Sequence, residues 1–217
     1  TWYQKWDKVF EFDMQEAEFK WFLNAKVNIT KNCIDRHLAK RGDKTAIIFE
    51  PNDPKEEAQH ITYNELYVRV AKMANVLQEQ GIKKGDRVCI YLPMIPELAV
   101  AVLACARIGA IHSVVFAGFS SEALASRISA AQSKVVVTAD IGLRGTKKIL
   151  LKDIVNEAIS RADCEKIVEK VLTYERFHDP DSEVAPYEMK QKDVRMDKLV
   201  SKQRPYCVPE IMDAEDN

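Results

Sequence analysis

The sequence contains little of the material from which phosphate-binding loops and metal centres are usually built. Only seven glycines occur in 217 residues, and neither GxGxxG nor GxxxxGK[ST] is present. GxSxG, the nucleophile elbow of α/β-hydrolases, is also absent. The four histidines are isolated, without metal-ligand spacing, and no carboxylate pair stands at a functional spacing. No complete active site is recognisable, so we expect no catalytic residue and no metal ligand in this chain.

Disulfide pairs, an excess of one charge and long apolar runs are lacking as well. The five cysteines are scattered without a CxxC pair, which fits a reducing, cytoplasmic location better than a disulfide framework. The 32 basic and 33 acidic residues nearly cancel, whereas a nucleic-acid-binding module usually carries a clear basic excess. No apolar run approaches the ~20 residues of a membrane span. We therefore expect neither a nucleic acid nor a membrane as a partner.

Residues 91–147 alternate between strand-like and helix-like runs. Pro96 is well placed to begin an apolar helix that Gly109 ends, and Ser120 or Ser121 to cap the next helix. This alternation predicts an α/β fold with a mainly parallel sheet flanked by helices on both faces. We expect the strands of this sheet near residues 45–49, 87–92, 113–117, 134–138 and 166–173.

Local signals outside this region are fewer. Thr62 and Glu65 fit a capping box at the start of a helix that Gly81 ends. Arg107, near the end of the apolar helix, is predicted to act as a cap or an ion-pair partner. Residues 1–31 are rich in Trp, Phe and Lys but have no clear helical or strand period. We interpret them as a segment whose aromatic side chains anchor it to a larger body, rather than as an aromatic ligand platform.

One compact basic turn looks suited to an anion. Arg144 offers a planar fork for bidentate phosphate contacts, and Gly145 allows a positive φ or a close backbone approach. Thr146 can donate a hydroxyl, and Lys147 adds a mobile charge. The turn follows the predicted strand 134–138, at the edge of a parallel sheet where ligands tend to bind. Short basic turns are also common on solvated surfaces, so the residues alone leave both readings open.

Several longer stretches match sequence motifs of a known family. The most specific, at 104–116, reads ACARIGAIHSVVF and is followed by GFS at 118–120. The others are WFL at 21–23, NCIDRHL at 32–38, TYNEL at 62–66, KGDRV at 84–88 and YLPMIPE at 91–97. In these motifs, over residues 1 to about 175, the chain resembles the acetyl-CoA synthetases, which are AMP-forming acetate–CoA ligases of the adenylate-forming superfamily.

The resemblance implies a division of the chain and a reaction. Residues 1–40 would be the aromatic-rich N-terminal extension, and 41–217 the first part of the AMP-binding domain, the large N-terminal domain of these enzymes. Their Ser/Thr/Gly-rich nucleotide loop would follow Asn217, so the chain is expected to be an N-terminal portion that is inactive by itself. In the whole enzyme, acetate and ATP give acetyl-adenylate and pyrophosphate with Mg²⁺, whose site would lie outside this segment. CoA then takes the acetyl group and AMP leaves.

The resemblance also implies a role for the basic turn. Enzymes of this family hold the 3′-phosphate of CoA with a turn of the type Arg-x-Gly-Arg or Arg-Gly-Gly-Lys. That turn maps onto Arg144, Gly145, Thr146 and Lys147 as the CoA-binding residues. Lysine at the last position keeps the charge but loses one planar fork. A synthetase for propionate or acetoacetate, and a non-catalytic α/β binding domain of the same ancestry, are the alternatives.

Overall fold

The computed structural model describes residues 1–145, 147–176 and 187–217, and its elements alternate along most of this length. The strands are β1 (Lys8–Asp13), β2 (Glu18–Leu23), β3 (Lys26–Val27), β4 (Thr45–Phe49), β5 (Gln59–Thr62), β6 (Arg87–Tyr91), β7 (Ile111–Val114), β8 (Val135–Ala139), β9 (Ile141–Arg144), β10 (Lys147–Leu150), β11 (Lys170–Tyr174), β12 (Asp193–Arg195) and β13 (Met212–Asp213). The helices are α1 (Arg36–Arg41, after a π-helical turn at Lys31–Asp35), α2 (Tyr63–Glu79), α3 (Pro96–Ile108), α4 (Ser121–Ala131), α5 (Leu151–Ile159), α6 (Ala162–Ile167) and α7 (Met196–Val200).

A five-stranded parallel sheet with the order β12-β11-β8-β6-β7 forms the centre of the molecule. All five residues of β8 are buried, as the β-branched sequence VVVTA predicts for a strand covered on both faces. The helices pack in two groups: α2 contacts α3 and α7, and α4 contacts α5 and α6. The predicted α/β fold, with a parallel sheet flanked by helices, is therefore confirmed.

Three of the predicted strands need correction, and the one expected at 113–117 runs over Ile111–Val114. Thr45–Phe49 does not join the parallel sheet but pairs antiparallel with β5 in a separate two-stranded sheet. Its outer face is open to water, with Ile48 65% exposed, so it lacks the two-sided cover of the central strands. The last predicted strand, 166–173, begins later, because Lys166 and Ile167 close helix α6 and the strand starts at Lys170.

Helix ends follow the local signals closely. The Thr62 hydroxyl accepts from the Glu65 N–H while the Glu65 carboxylate accepts from the Thr62 N–H, which completes the predicted capping box. Gly109 ends α3 in a left-handed conformation, with φ of 70°. Ser120 rather than Ser121 caps α4, accepting from the Ala123 N–H at 3.3 Å. No helix in the described ranges is long and apolar enough to cross a membrane.

The aromatic N-terminal segment forms the hairpin β1–β2, which residues 1–31 did not predict. Phe10 stacks on Phe12 and Trp21, so the rings contact one another. The prediction that these aromatics anchor the segment to the body is wrong for Phe12, Phe19 and Trp21, which are 57%, 53% and 50% exposed.

The segment is joined to the body by the pairing of β3 with β13, by hydrogen bonds from the Asn28 side chain to the carbonyls of Ala106 and Glu210, and by a buried arginine. The Arg107 guanidinium is 1% exposed and forms a bidentate ion pair with Asp35 at 2.9 and 3.1 Å. It also donates to the Thr30 hydroxyl at 3.3 Å and to the Cys207 carbonyl at 2.7 Å. The prediction of an ion-pair role is confirmed. Three stretches that lie far apart in the sequence therefore meet at this one side chain.

Candidate functional site

The basic turn is the tip of the β9–β10 hairpin. Arg144 pairs directly with Lys147 across the two strands, so their side chains leave the same face of the hairpin. Gly145 has a φ of 60°, which favours glycine, and nothing lies within 4 Å of where its Cβ would be. Thr146, the remaining predicted member of the turn, lies outside the described residues. The structure thus brings Arg144 and Lys147 together.

Among the residues that the structure describes, none neutralises the charges of this pair. Both side chains are exposed, and within the part of the chain that the structure describes neither has a hydrogen-bond or ion-pair partner. Like charges directly opposite on two strands repel each other. A bound anion would relieve this repulsion, and a guanidinium beside an ammonium is a suitable environment for a phosphate.

Asp140 fixes the base of the hairpin to the sheet. It is the single residue between β8 and β9 and is 4% exposed. Its carboxylate accepts the N–H of Ile141 at 2.6 Å and the N–H of Arg176 at 3.1 Å. Burial raises the pKa of this carboxyl, and these two N–H groups act in the opposite direction. The hairpin therefore projects from the carboxyl end of β8.

A groove of about 190 Å³ lies beside the hairpin, and Arg144 lines it. Its other walls include residues 93–95, which follow β6, residues 116–118, which follow β7, and Arg176, which follows β11. These segments leave the carboxyl ends of adjacent strands in the parallel sheet, the edge at which α/β proteins bind their ligands. The hairpin thus borders a cleft at the expected edge of the sheet.

An aromatic ring completes one wall of the groove. Phe116 is 60% exposed and contacts Phe119 edge-on, at 5.9 Å between ring centroids. A Cβ at Gly118 would lie 2.6 Å from Cε1 of Phe116, so glycine at this position leaves room for the ring. An exposed ring can stack on a nucleobase whatever its identity. Arg144 and Phe116 together suit a phosphorylated ligand that also carries a flat ring system.

Arg176 is a groove residue that sequence reasoning missed. Its guanidinium donates to the Ile141 carbonyl at 3.5 Å, and burial lowers its pKa. A second cavity of about 210 Å³, lined in part by Glu97 and Tyr174, adjoins Arg176 from the other side. Its position just after a parallel strand was a usable signal, because ligand sites collect at that edge.

Comparison with known protein families identifies the chain. The family model of AMP-binding enzymes matches residues 34–216. The chain belongs to the AMP-binding enzyme family. The model of the acetyl-coenzyme A synthetase N-terminus matches residues 1–33, the region of the aromatic hairpin. This AMP-binding family member thus combines both regions within 217 residues.

Curated relatives resemble this AMP-binding family member over about three quarters of the chain or more. The acetyl-coenzyme A synthetase of Syntrophobacter fumaroxidans is 52% identical over 220 residues, covering 99% of this chain and 32% of the relative. That of Methylorubrum populi is 57% identical over 160 residues, covering 74% of this chain and 24% of the relative. The chain therefore spans about a third, 32%, of the length of the first of these relatives.

A solved structure shares the fold. Acetoacetyl-CoA synthetase from Streptomyces lividans superimposes with a TM-score of 0.82, covering 98% of this chain and 30% of that one. The sequence identity is 24%, so this likeness bears on the fold alone.

Proposed function

We propose that this chain is the N-terminal part of an AMP-forming acetate–CoA ligase of the cytoplasm. In the proposed reaction an acetate oxygen attacks the α-phosphorus of ATP, forming acetyl-adenylate and releasing pyrophosphate. The CoA thiol then attacks the acetyl carbonyl, AMP leaves and the thiol proton is lost. The acetyl-coenzyme A synthetases that match 99% of the chain support this activity. We place the residues that bind ATP, Mg²⁺ and acetate in the remainder of such an enzyme.

The role proposed for the chain itself is to bind the 3′-phosphate of CoA. One observation carries it: Arg144 and Lys147 stand opposite each other at a hairpin tip, without an acidic partner among the described residues. A phosphate monoester bears roughly −1.5 to −2 charge near neutral pH, which matches this pair. Gly145 and Thr146 would offer the backbone and hydroxyl of the turn, and the exposed ring of Phe116 supports an adenine nearby.

The decisive variant is Arg144→Ala in an acetate–CoA ligase that contains this chain. A charge-assisted hydrogen bond contributes about 1.5–3 kcal/mol, so the Kd for CoA should rise roughly 10- to 100-fold. Dephospho-CoA lacks the phosphate and should lose much less affinity. Acetate-dependent ATP–pyrophosphate exchange should continue, because the 3′-phosphate takes no part in that step. Running the same assay with propionate and acetoacetate tests the acyl substrate.

Lys148→Ala is the matched control. Lys148 is exposed on β10, one residue after Lys147, so its side chain leaves the face of the hairpin opposite to that of Arg144 and Lys147. Lys148→Ala removes one positive charge, as Arg144→Ala does. It should change the Kd for CoA by less than about threefold, because this exposed charge is screened and faces away from the site. Equal losses for CoA and dephospho-CoA in Arg144→Ala would show that Arg144 does not contact the 3′-phosphate.

A further inference from the structure

We propose that Asp140 is a positioning residue for this phosphate site, acting through the hairpin that carries Arg144. The inference rests on the proposed function, since it assigns a second residue to the same site. Asp140 lies at the hairpin base, where its carboxylate receives the N–H groups of Ile141 and Arg176. These two groups belong to different elements, the start of β9 and the segment after β11.

The main chain of Asp140 extends this connection. Its N–H donates to the Tyr174 carbonyl at 2.8 Å, and its carbonyl accepts from the Lys152 N–H at 3.2 Å. One buried residue therefore joins the hairpin, the end of β11 and the start of α5. The guanidinium of Arg176 adds a bond to the Ile141 carbonyl, so the hairpin base is held from both sides.

The hairpin depends on this attachment because it is not a strand pair of the central sheet. β9 and β10 form a separate two-stranded sheet. Arg144 stands three residues after Ile141, a distance of about 10 Å along a strand. A tilt of about 5° at the base would move Arg144 by about 1 Å, enough to take a hydrogen bond outside its normal range of roughly 2.7–3.2 Å.

The distance of about 10 Å between the hairpin base and its tip means that Asp140 can position the site but cannot contact the ligand. Asp140 is buried at the base, about 10 Å from the tip along the strand, so its side chain does not reach a phosphate bound there. Its effect on the ligand must pass through the cations of the hairpin tip, Arg144 and Lys147. Loss of Asp140 should therefore lower the affinity for the 3′-phosphate and for no other part of CoA.

The test compares Asp140→Ala and Asp140→Asn in an acetate–CoA ligase that contains this chain. Asparagine keeps an oxygen that can accept both N–H groups, whereas alanine keeps none. The Kd for CoA should rise about tenfold in Asp140→Ala, a large part of the Arg144 contribution, and should return to within about threefold of wild type in Asp140→Asn. The Kd for dephospho-CoA and the rate of ATP–pyrophosphate exchange should change little. If Asp140→Ala does not fold, Asp140→Ser keeps one acceptor and should show a smaller loss in the same direction.

A triple variant tests the route of the effect. When both Arg144 and Lys147 are alanine, Asp140→Ala should leave the ratio of CoA to dephospho-CoA affinity unchanged, because both contacts through which the hairpin acts are gone. The inference is overturned if Asp140→Ala in the wild-type background weakens both ligands equally or leaves the ratio at the wild-type value, or if it lowers the ratio further in the triple variant. Failure of the proposed function looks different: Arg144→Ala itself would leave the ratio unchanged.

Discussion

Replacement of Arg107 by methionine is expected to produce the largest loss of stability of any single change considered for this chain. Methionine fills part of the volume but makes none of the four hydrogen bonds of the guanidinium to Asp35, Thr30 and Cys207. The Asp35 carboxylate would remain, partly buried and without its cation. Removing one partner of a buried pair typically costs about 3–5 kcal/mol. The Asp35 side chain is 24% exposed, so water can reach it, and we expect the lower end, about 3 kcal/mol.

Urea unfolding measures this loss with two independent probes. The three tryptophans, Trp2, Trp6 and Trp21, all lie in the N-terminal segment, so fluorescence reports on that segment alone. Far-UV circular dichroism reports on the helices and the sheet. With a slope of about 2 kcal/mol per molar urea, a loss of about 3 kcal/mol lowers the midpoint by about 1.5 M. The fluorescence transition should also precede the dichroism transition, because the variant loses one of the contacts that join the segment to the body.

The neighbouring Arg36 provides the control. It is exposed, and Arg36→Met should change the free energy of unfolding by no more than about 0.5 kcal/mol, or about 0.25 M in midpoint. A shift in Arg107→Met no larger than in this control would refute the reasoning. So would coincident transitions in the variant, because β3–β13 and the other contacts of the N-terminal segment would then hold it firmly enough without Arg107.

Three further expectations follow from individual side chains. Ellman's reagent should label one thiol in the native chain and five after denaturation, since only Cys33 is exposed and burial raises the pKa of a thiol such as Cys89 to about 12. A hydrogen bond from Lys26 lowers the pKa of Asp213, so this carboxylate stabilises the fold above its ordinary pKa and the effect is lost as pH falls through the lowered value. The difference in urea midpoint between wild type and Asp213→Asn should therefore be present at pH 7 and shrink below about pH 4. Thr62→Ala should cost about 1 kcal/mol in the same unfolding assay, and no loss would exclude a stabilising capping box.

Elements whose signal is local could be predicted from the sequence. The β-branched run of β8, the capping box at Thr62 and the left-handed end of α3 at Gly109 each depend on a few neighbouring residues. The β1–β2 hairpin has no such signal, because its connection carries neither Gly nor Asn-Gly and Ala17 takes a φ of 55°. The pairing partner of β4 was equally hidden, since composition does not show which strand a half-exposed strand will join.

Part of the candidate site could also be predicted from the sequence, and part could not. The charges of Arg144 and Lys147 and the need for glycine at position 145 are visible in four consecutive residues of the sequence. The groove is not visible, because Phe116 and Arg176 come from loops separated by long stretches of chain. Only the order of the parallel strands brings their carboxyl ends together. The buried Asp140 is also hidden, since an aspartate after a strand looks the same whether it is solvated or holds two N–H groups.

Arg107 and Arg144 differ in burial and in hydrogen-bond partners, and this difference distinguishes a structural role from the proposed role in ligand binding. The guanidinium of Arg107 is 1% exposed and forms four hydrogen bonds inside the fold, so a ligand cannot reach it. That of Arg144 is exposed, stands opposite a second cation and has no partner among the residues described. A change at the first should therefore alter the unfolding midpoint and leave the preference for CoA over dephospho-CoA intact. A change at the second should do the reverse, since an exposed, unpaired side chain contributes little to folding. If both changes altered both properties, the hairpin and the Arg107 contacts would belong to one cooperative unit, and Arg144 would be part of the fold rather than a ligand contact.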